Sequence, residues 1–587
     1  MTTGIWKAHT MVLALLGIGV IAAYFHTIDY PFVFDDRENI TGAVQLDTLS
    51  AAGIKQVLTQ AHAANRPVAN LSFAVNWAMG GGDVVPFHIT NLAIHILSGW
   101  LVYVFALLTL QRACGQPDAG TRRWAVLVSA AAVALVWAMH PIQTQAVTYI
   151  VQRMTSMCAM FCLLALCLYV AGRQHARRPW FMAGAVVAWL LALGCKEIAI
   201  SLPVLVWLYE WFFFRQLRRQ WLISSLKYAV PVAIVALVAA RIYLGEKPVE
   251  TLTAGYHTRD FSMLERQFTQ FRVLVFYLSL LAWPLPGRLN LDHHFLPSSS
   301  LVSPVTTLLS LGLLLALLPG GCLAARRYRL AAFGVLWYFV TLALESSIIN
   351  LEMGFEHRLY LPSVGVLLAV VSLVMPRLGG QRRGSWLPAA GVAALVLVLG
   401  AMTWQRNRVW RDVEVLWQDC AGKSPDKARP QYNLGVYYAR HEQPDEAIRR
   451  YRNAVRLRPK YIEALLNLGL TLMEQGELQE AFETFSDAIR HKPDHPDLYI
   501  NRAVVLKKLG KPEAALADNQ AAVALMPDNA KAQFNLGTAF QTLGRTKEEI
   551  AAYERVLEID PEHFLENKIQ INKYPLLRGL AKPSLST

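Results

Sequence analysis

Long apolar runs alternate with short polar connections over residues 1–405, whereas residues 406–587 carry charged and apolar positions in helical alternation. Most of the apolar runs reach or approach the length of about 20 residues that a helix needs to span the hydrocarbon core of a membrane. The pattern predicts an all-α chain, a polytopic transmembrane bundle of about eleven crossings followed by further helices. The predicted crossings are 11–24, 89–110, 124–139, 154–171, 180–195, 198–214, 225–243, 303–323, 331–349, 359–376 and 386–403.

The first apolar run follows Lys7 and extends from Met11 to Tyr24. A signal peptide has a similar charge and length, and the small residues Ala22 and Ala23 would suit its cleavage. We interpret the run as an uncleaved helix, since the acidic pair described below has to stay close to the membrane.

Hydrophobic residues make up 54% of the chain and charged residues 17%, with a formal net charge of +14. The positive charge is concentrated in five short connections between apolar runs. Cytoplasmic loops of membrane proteins accumulate Lys and Arg in this way, so the charge indicates topology and argues against nucleic acid as a partner. The arginines are Arg112, Arg122, Arg123, Arg173, Arg177, Arg178, Arg215, Arg218, Arg219, Arg326, Arg327, Arg329, Arg377, Arg382 and Arg383.

With the N-terminus inside, all five arginine groups are cytoplasmic only if the short apolar stretch 273–283 does not cross. We therefore expect this stretch to dip into the membrane or to lie at its interface. Eleven crossings then place residues 406–587 outside the cytoplasm, together with Arg406, Arg408 and Arg411.

The same topology leaves three regions on the outer side, namely the first outer loop (24–87), a long loop (245–300) and a short connection (350–358). Two stretches of the first outer loop, 46–60 and 68–79, are amphipathic and are predicted to lie on the membrane surface.

A 34-residue period divides residues 426–561 into four repeats, preceded by a linker (406–425) and followed by a tail (562–587). Small residues recur where helices would cross and a proline ends each unit, which is the signature of tetratricopeptide repeats (TPRs). Stacked helical hairpins of this type form a solenoid with a concave groove. The in-phase positions are Pro425, Pro459, Pro493, Pro527 and Pro561; Asn433, Asn467, Asn501 and Asn535; Gly435, Gly469, Ala503 and Gly537; Ala447, Ala481 and Ala515; and Tyr451, Phe485, Asn519 and Tyr553.

An acidic pair, Asp35 and Asp36, follows the first apolar run by about ten residues, in YPFVFDDRENI. Carboxylates at a membrane exit suit a general base that activates a hydroxyl acceptor. An isolated pair of this kind is more often a solvated loop or a helix cap. The neighbouring motifs favour the catalytic interpretation.

Charged and hydrogen-bonding side chains recur at the predicted outer ends of other helices. Polar groups at the membrane boundary are candidates for function, and Arg pairs with phosphate oxygens in bidentate fashion. The candidates are Arg66, His88, His140, Arg153, Lys196, Glu197, Glu356, His357 and Arg358.

Structural interpretations remain open for several of these residues. His88, Asn91 and His95 share a helix face and would serve equally as hydrogen bonds between helices. Lys196 and Glu197 would form a local ion pair, and His140 would end a helix.

Other chemistry has little support in the sequence. Phosphate-binding glycine loops and paired-cysteine zinc motifs are absent from it, and the seven cysteines have no regular spacing. Asp292, His293 and His294 are compatible with a metal, but the group is too local to indicate a site. We therefore predict no metal site and no firm cofactor, with a divalent metal left possible.

The order of the motifs resembles a known family. A first-loop DD is followed by RPVANLSF, PFHITNLAIH, HPIQTQAVTYIVQR, KEIAISLPVLVWLY and EHRLYLPS, and then by TPRs. This order is similar to that of the transmembrane and TPR-containing protein O-mannosyltransferases and their bacterial relatives, which have the GT-C glycosyltransferase fold. The resemblance covers nearly the whole chain, although the family's animal members carry more repeats and the better-known mannosyltransferases have Asp-Glu instead of DD.

The resemblance implies a sugar donor on a polyprenyl or dolichyl phosphate, bound from the outer leaflet, and a Ser or Thr hydroxyl of a protein as the acceptor. Asp35 or Asp36 would be the base, with Asp35 preferred. Arg153, Lys196, His357 and Arg358 would bind the donor phosphate, supported by Arg66, His88, His140, Glu197 and Glu356. The TPR groove with Asn433, Asn467, Asn501 and Asn535 would capture the acceptor protein.

Three functions fit the sequence: a protein O-glycosyltransferase, a transferase that modifies an envelope glycan or lipid, and a membrane scaffold without activity. A protein-binding groove favours the first over the second. The ionisable residues at so many helix ends favour the first over the third. We expect a bacterial inner-membrane protein whose repeats lie on the periplasmic side.

Overall fold

The computed structural model describes residues 2–42, 50–60, 65–114, 120–175, 177–228, 255–379 and 387–560, with a few isolated positions between 229 and 254. Over these residues the chain is helical and has no β-strand. It divides into two compact units, Met1–Asp419 and Cys420–Thr587. The all-α prediction is confirmed.

In the described part of the first unit, six helices are long and apolar enough to cross a membrane. A seventh candidate is a bent pair of helices with an angle of 49° between its halves, and three shorter apolar helices accompany them. The six long helices are Trp6–Thr27, Val85–Ala113, Ile150–Gly172, Glu197–Phe214, Thr306–Ala324 and Ala389–Arg411. The bent pair is Arg123–Ala138 with Pro141–Val147, and the short helices are Arg178–Leu193, Arg329–Leu342 and Pro362–Val374.

These ten elements correspond to ten of the predicted crossings. Most of the remaining one, 225–243, lies outside the described residues. The predicted crossing 331–349 ends earlier than expected, because the chain leaves the helix after Leu342 and forms turns over 343–349.

The apolar stretch 273–283 is the second half of the helix Met263–Ala282. Ser262 begins this helix with a capping box, since its hydroxyl accepts from the Glu265 N–H while the Glu265 carboxylate accepts from the Ser262 N–H. The helix is not among the candidate spans. Whether it dips into the membrane stays a prediction.

The first outer loop forms two helices, Ala51–Gln60 and Pro67–Gly80. They coincide with the predicted stretches 46–60 and 68–79, except that residues 46–49 lie outside the described part of the chain. The second of these helices buries Asn70, Phe73 and Asn76 within the unit. One of its faces therefore packs on protein.

Short 3₁₀ turns interrupt or precede helices at the polar motifs: Pro141–Gln143, Ile150–Gln152, Glu197–Ser201 and Glu356–Leu359. Such turns satisfy fewer backbone groups within the helix than a continuous α-helix does. Polar side chains at these positions therefore find backbone partners, and the turns hold the candidate residues in place.

The predicted linker 406–425 is itself helical. It contains a 3₁₀ turn, Arg408–Arg411, and an α-helix, Val413–Lys423. Leu416, Trp417 and Cys420 are buried, and with Val413 they follow the i, i+3, i+4, i+7 spacing of a helix with one apolar face. The sequence analysis missed this spacing. The division between the two units falls inside the predicted linker.

Residues 428–559 of the second unit form four helical hairpins, as the 34-residue period predicts. In the second repeat, the Phe485 ring of the second helix lies against Gly469 of the first helix. A Cβ built on Gly469 would be 2.7 Å from that ring. The glycine is therefore required for close approach of the two helices. The helices are Ala428–Arg440 with Pro444–Leu457, Ile462–Glu474 with Leu478–His491, Pro496–Lys508 with Pro512–Leu525, and Ala530–Thr542 with Thr546–Ile559.

Candidate functional site

One short segment of the first unit, 145–155, contacts most of the candidate residues, and we call it the central segment. It runs from Thr144–Val147 through the turn Ile150–Gln152 to the start of the helix Arg153–Gly172. Its side chains and backbone contact both halves of the predicted site. The contact pairs are Gln145 with His357, Tyr149 with Asp35, Val151 with Asp36, Met154 with Arg66, and Thr155 with Lys196.

Asp36 is fully buried and is held by backbone on both carboxylate oxygens. The Val33 N–H donates to Oδ2 over 2.9 Å, and the Val151 N–H donates to Oδ1 over 2.7 Å. This side chain ties the first outer loop to the central segment. Asp36 therefore serves as a structural link. Because its side chain is buried, it has no contact with an acceptor in solution.

Burial raises the pKa of Asp36 to about 8, although the two backbone N–H groups and Arg153 act in the opposite direction. Asp35, next to it, raises this pKa further.

Asp35 is half-buried, and its backbone N–H donates to the Tyr149 hydroxyl over 2.9 Å. The preceding residue, Phe34, has a φ of +47°, a left-handed conformation that is unusual for a bulky residue. Rings on both sides hold it, since Phe34 lies 5.4 Å from Trp417 and 6.5 Å from Tyr149, measured between ring centroids. This turn directs the two neighbouring carboxylates differently, so that Asp35 is the more accessible one.

Arg153 is fully buried and donates to protein oxygens from all three of its nitrogens. Nε donates to Asn91 Oδ1 over 2.6 Å, Nη1 to the Ser72 carbonyl over 3.1 Å, and Nη2 to the Phe87 carbonyl over 2.9 Å. Its guanidinium also lies 4.6 Å from the centroid of the Phe73 ring. Arg153 therefore joins two helices of the unit to the central segment, an arrangement that favours a structural role over the predicted phosphate contact.

Lys196 and Arg358 share one carboxylate, that of Glu345. Lys196 Nζ lies 2.8 Å from Glu345 Oε1 and 3.0 Å from the Thr155 hydroxyl, and Arg358 Nε lies 3.9 Å from the same Glu345 oxygen. All three charged side chains are nearly buried. We call Lys196, Arg358 and Glu345 the cation cluster.

Arg66 and His357 adjoin the cation cluster. Arg66 forms a two-pronged ion pair with Glu197, with distances of 3.0 and 3.3 Å. Burial, Lys196, Arg358 and Arg66 together hold the pKa of His357 well below its usual range. The ring is therefore neutral, and its backbone N–H donates to Gln145 Oε1 over 2.7 Å.

Three of the open structural interpretations can now be compared with the contacts. Lys196 and Glu197 pair with Glu345 and Arg66, and not with each other as a local ion pair would. His140 caps the turn Pro141–Gln143, since its Nδ1 accepts from the Ile142 N–H. His88, Asn91 and His95 bond to Tyr30, to the central segment, and to Ala138 and Tyr360, as interhelical contacts would.

Glu356 lies in a separate buried group. Its Oε1 is 2.8 Å from His293 Nε2 and also accepts from the Asn290 N–H. His293 lies in a loop that Glu356 anchors. Among the described residues no cluster of three or more His, Cys, Asp or Glu side chains has a geometry that would hold a metal.

Gln145, Tyr149 and Glu345 are not among the residues predicted from the sequence. Glu345 is an acidic residue at the end of an apolar run, a signal that the sequence contains but that we assigned to no group. Gln145 and Tyr149 are polar residues inside the recognised motif HPIQTQAVTYIVQR. Nothing in the order of residues indicates their partners, which lie more than 100 residues away in the chain.

In the TPR unit the recurring asparagines lie on the first helix of each hairpin. Asn433 donates to the Arg429 carbonyl within its own helix, whereas Asn467 donates to the Tyr432 hydroxyl of the preceding repeat over 3.2 Å. Asn501 is nearly buried, and Asn535 lines a cavity. Their predicted role in acceptor binding stays a prediction.

Comparisons with known proteins agree with the resemblance. A tetratricopeptide-repeat family model matches residues 432–496 and 500–563. Protein O-mannosyl-transferase Tmtc3 of Drosophila melanogaster is 26% identical over 524 residues, which cover 77% of this chain and 55% of that protein. Human protein O-mannosyl-transferase TMTC4 is 26% identical over 488 residues, which cover 74% of this chain and 65% of that protein. The crystal structure of MamA matches 28% of this chain and 90% of that chain at 22% identity, with a TM-score of 0.24.

The chain therefore spans less than two thirds of the length of either of these O-mannosyltransferase relatives. The predicted resemblance to transmembrane and TPR-containing protein O-mannosyltransferases is confirmed, and so is the interpretation as a membrane protein.

Proposed function

We propose that this chain is a membrane glycosyltransferase that transfers a sugar from a polyprenyl-phosphate carrier to Ser or Thr hydroxyls of exported proteins. The donor would reach the site from the outer leaflet of a bacterial inner membrane, with the TPR unit on the periplasmic side. The named relatives are protein O-mannosyl-transferases, so mannose is the first sugar to test.

The strongest support is the central segment, which links the acidic turn to the cation cluster. Val151 contacts Asp36 and Thr155 contacts Lys196, and these two attachment points are four residues apart. Four residues of helix rise about 6–8 Å, so the acidic turn and the cation cluster are attached to neighbouring turns of one short segment.

In the proposed reaction Asp35 accepts the proton of the acceptor hydroxyl, whose oxygen attacks the anomeric carbon. The bond from that carbon to the phosphate oxygen breaks, and its electron pair leaves with the polyprenyl phosphate. Lys196, Arg358 and Arg66 stabilise the leaving phosphate charge, because preorganised cations act most strongly where charge develops. Attack from the face opposite the phosphate inverts the anomeric centre.

Each of these cations has a carboxylate partner: Glu345 for Lys196 and Arg358, and Glu197 for Arg66. A donor phosphate would have to compete with these carboxylates. Glu345 therefore acts as a positioning residue that keeps two cations adjacent before the donor binds.

The test is intact-protein mass spectrometry of the periplasmic proteins from a deletion strain complemented with the wild-type gene or with Asp35→Asn. We expect a hexose-sized mass on one or a few exported proteins with the wild type, and its loss with Asp35→Asn at equal membrane abundance. An unchanged protein glycosylation pattern in the deletion strain would contradict the proposal. A change confined to envelope glycolipids would instead favour a glycan or lipid acceptor.

A further inference from the structure

The third TPR repeat differs from the other three at two positions. In the other three repeats, the residues at these two positions contact each other. In repeats one, two and four a glycine of the first helix meets a ring of the second, and the three pairs are Gly435–Tyr451, Gly469–Phe485 and Gly537–Tyr553. The third repeat has Ala503 and Asn519 at these positions. It therefore lacks the aromatic ring that fills the hairpin elsewhere.

A cavity of about 130 Å³ lies at this place, between the third and fourth repeats. An apolar cavity of about 150 Å³ in another protein holds benzene, so this one has room for a single aromatic ring. Apolar walls come from Ala503, Val504, Ala515 and Ala539. The exposed side chains of Lys507 and Thr542 also line the cavity and mark its opening.

Asn519 provides the cavity with a buried polar group. Its side chain is 4% exposed, and its Oδ1 finds no hydrogen-bond donor among the residues that the structure describes. A buried acceptor without a donor destabilises the folded state, and each such group in a native protein calls for an explanation. Asn535 and Thr538 add polar groups on the side of the fourth repeat.

We propose that this cavity is a subsite for a tyrosine side chain of the acceptor polypeptide. A phenol matches the space in three respects: the ring replaces the missing one, the apolar walls contact its faces, and its hydroxyl donates to Asn519 Oδ1. The ammonium group of Lys507 at the opening is placed to meet the acceptor backbone or a neighbouring carboxylate. The inference rests on the proposed function, because it makes the TPR ligand the acceptor.

The test uses the full chain in lipid nanodiscs and two soluble probes, N-acetyl-tyrosinamide and N-acetyl-phenylalaninamide, which differ only in the hydroxyl. Binding is measured by saturation-transfer NMR. We expect the tyrosine probe to bind about fivefold to tenfold more tightly, the worth of one hydrogen bond to a buried, otherwise unpaired oxygen. Equal binding of the two probes, or binding of neither, would overturn the proposal and leave a cavity filled by water.

Two variants separate the shape of the cavity from its hydrogen bond. Ala503→Gly/Asn519→Phe restores the glycine and ring of the other repeats, and we expect it to abolish binding of both probes without lowering Tm. Asn519→Leu keeps the volume, and we expect it to bind both probes equally. The matched control Tyr451→Phe retains a ring in the first repeat and should bind as the wild type does.

The glycosylation assay distinguishes failure of this inference from failure of the proposed function. One outcome is that Ala503→Gly/Asn519→Phe glycosylates the acceptor at the wild-type rate while Asp35→Asn does not. That result would contradict the tyrosine subsite and leave the proposed transferase activity intact. Probe binding that appears only after removal of residues 562–587 would also overturn the proposal, since the chain's own tail would then be the occupant.

Discussion

The two adjacent aspartates are expected to respond in opposite ways to the same substitution. Asp36 accepts two backbone N–H bonds in a fully buried position, whereas Asp35 is half-buried beside the central segment. Asp36→Asn keeps the shape of the side chain but places an amide NH₂ against one of those N–H groups. The variant leaves a buried backbone donor and its own amide hydrogens unpaired, which costs about 2–4 kcal/mol.

We therefore expect Asp36→Asn to lower Tm and the amount of folded protein, with residual activity in the fraction that folds. We expect Asp35→Asn to lower Tm by less than Asp36→Asn does, because Asp35 is only half-buried and the largest losses of stability come from changes at buried polar groups. Its activity should fall by at least about 100-fold, the usual contribution of a general base.

The assay measures both quantities on the same detergent-purified samples. Tryptophan fluorescence during heating reports Tm, and transfer of labelled sugar from polyprenyl-phosphate mannose to the acceptor identified by mass spectrometry reports activity. Asn39→Ala in the same turn serves as the control, since Asn39 Nδ2 donates to the Asp35 carbonyl and not to either carboxylate. A stable, inactive Asp36→Asn beside an active Asp35→Asn would refute the reasoning and make Asp36 the base.

Four further predictions follow from particular contacts. Lys196→Met leaves Glu345 paired with Arg358, so Tm should fall less than it does in Glu345→Gln, while the KM for the donor rises by at least about tenfold. An unchanged KM would exclude Lys196 from phosphate binding, and Arg327→Met in an exposed turn serves as the control. In Arg153→Lys the lysine side chain cannot contact Asn91, Ser72 and Phe87 together. We expect the free energy of unfolding to fall by about 2–4 kcal/mol, with an unchanged KM for the donor. A higher KM at unchanged Tm would instead support Arg153 as a phosphate contact. The folded-state pKa of Asp36 is raised to about 8, so its contribution to stability is full below its unfolded value near 4 and is lost as the pH rises towards 8; Tm should fall between pH 5 and 9 less steeply in Asp36→Asn than in the wild type, and parallel curves would contradict the assignment. Glu442 has a φ of +57° at the hairpin turn of the first repeat, where the other repeats have Gly476, Gly510 and Gly544. We expect Glu442→Gly to stabilise the repeats by about 1 kcal/mol, because glycine adopts this conformation without strain. The urea midpoint of unfolding measures the change, and Glu477→Gly serves as the control.

The TPR unit was the part of the fold most completely predictable from the sequence. Each repeat contacts mainly its neighbours, so its pattern of small residues, rings and prolines is local and recurs every 34 residues. The absence of a ring at Asn519 was visible in the sequence, but the cavity that results from it was not, since its walls come from two repeats.

The candidate site was predictable in composition and only partly in arrangement. The motifs identified Asp35, Asp36, Lys196, His357 and Arg358, and the structure brings all five to the central segment or the cation cluster. The same reasoning could not separate the accessible Asp35 from the buried Asp36. The sequence also does not show whether an arginine at a helix end, such as Arg153, contacts phosphate oxygens or backbone carbonyls, and phosphate binding by Arg153 stays a prediction.

The sequence by itself determined the features whose physical cause is short-range: the apolar length of the helices, the sign of the charge in their connections, and the period of the repeats. Only the tertiary structure decided which polar groups meet. Glu345 and Lys196 are 149 residues apart in the chain, and Asp36 and Val151 are 115 apart. Burial is the reason that these pairings matter, because a charge or an N–H group removed from water needs a partner, and the fold alone determines which partner is within reach.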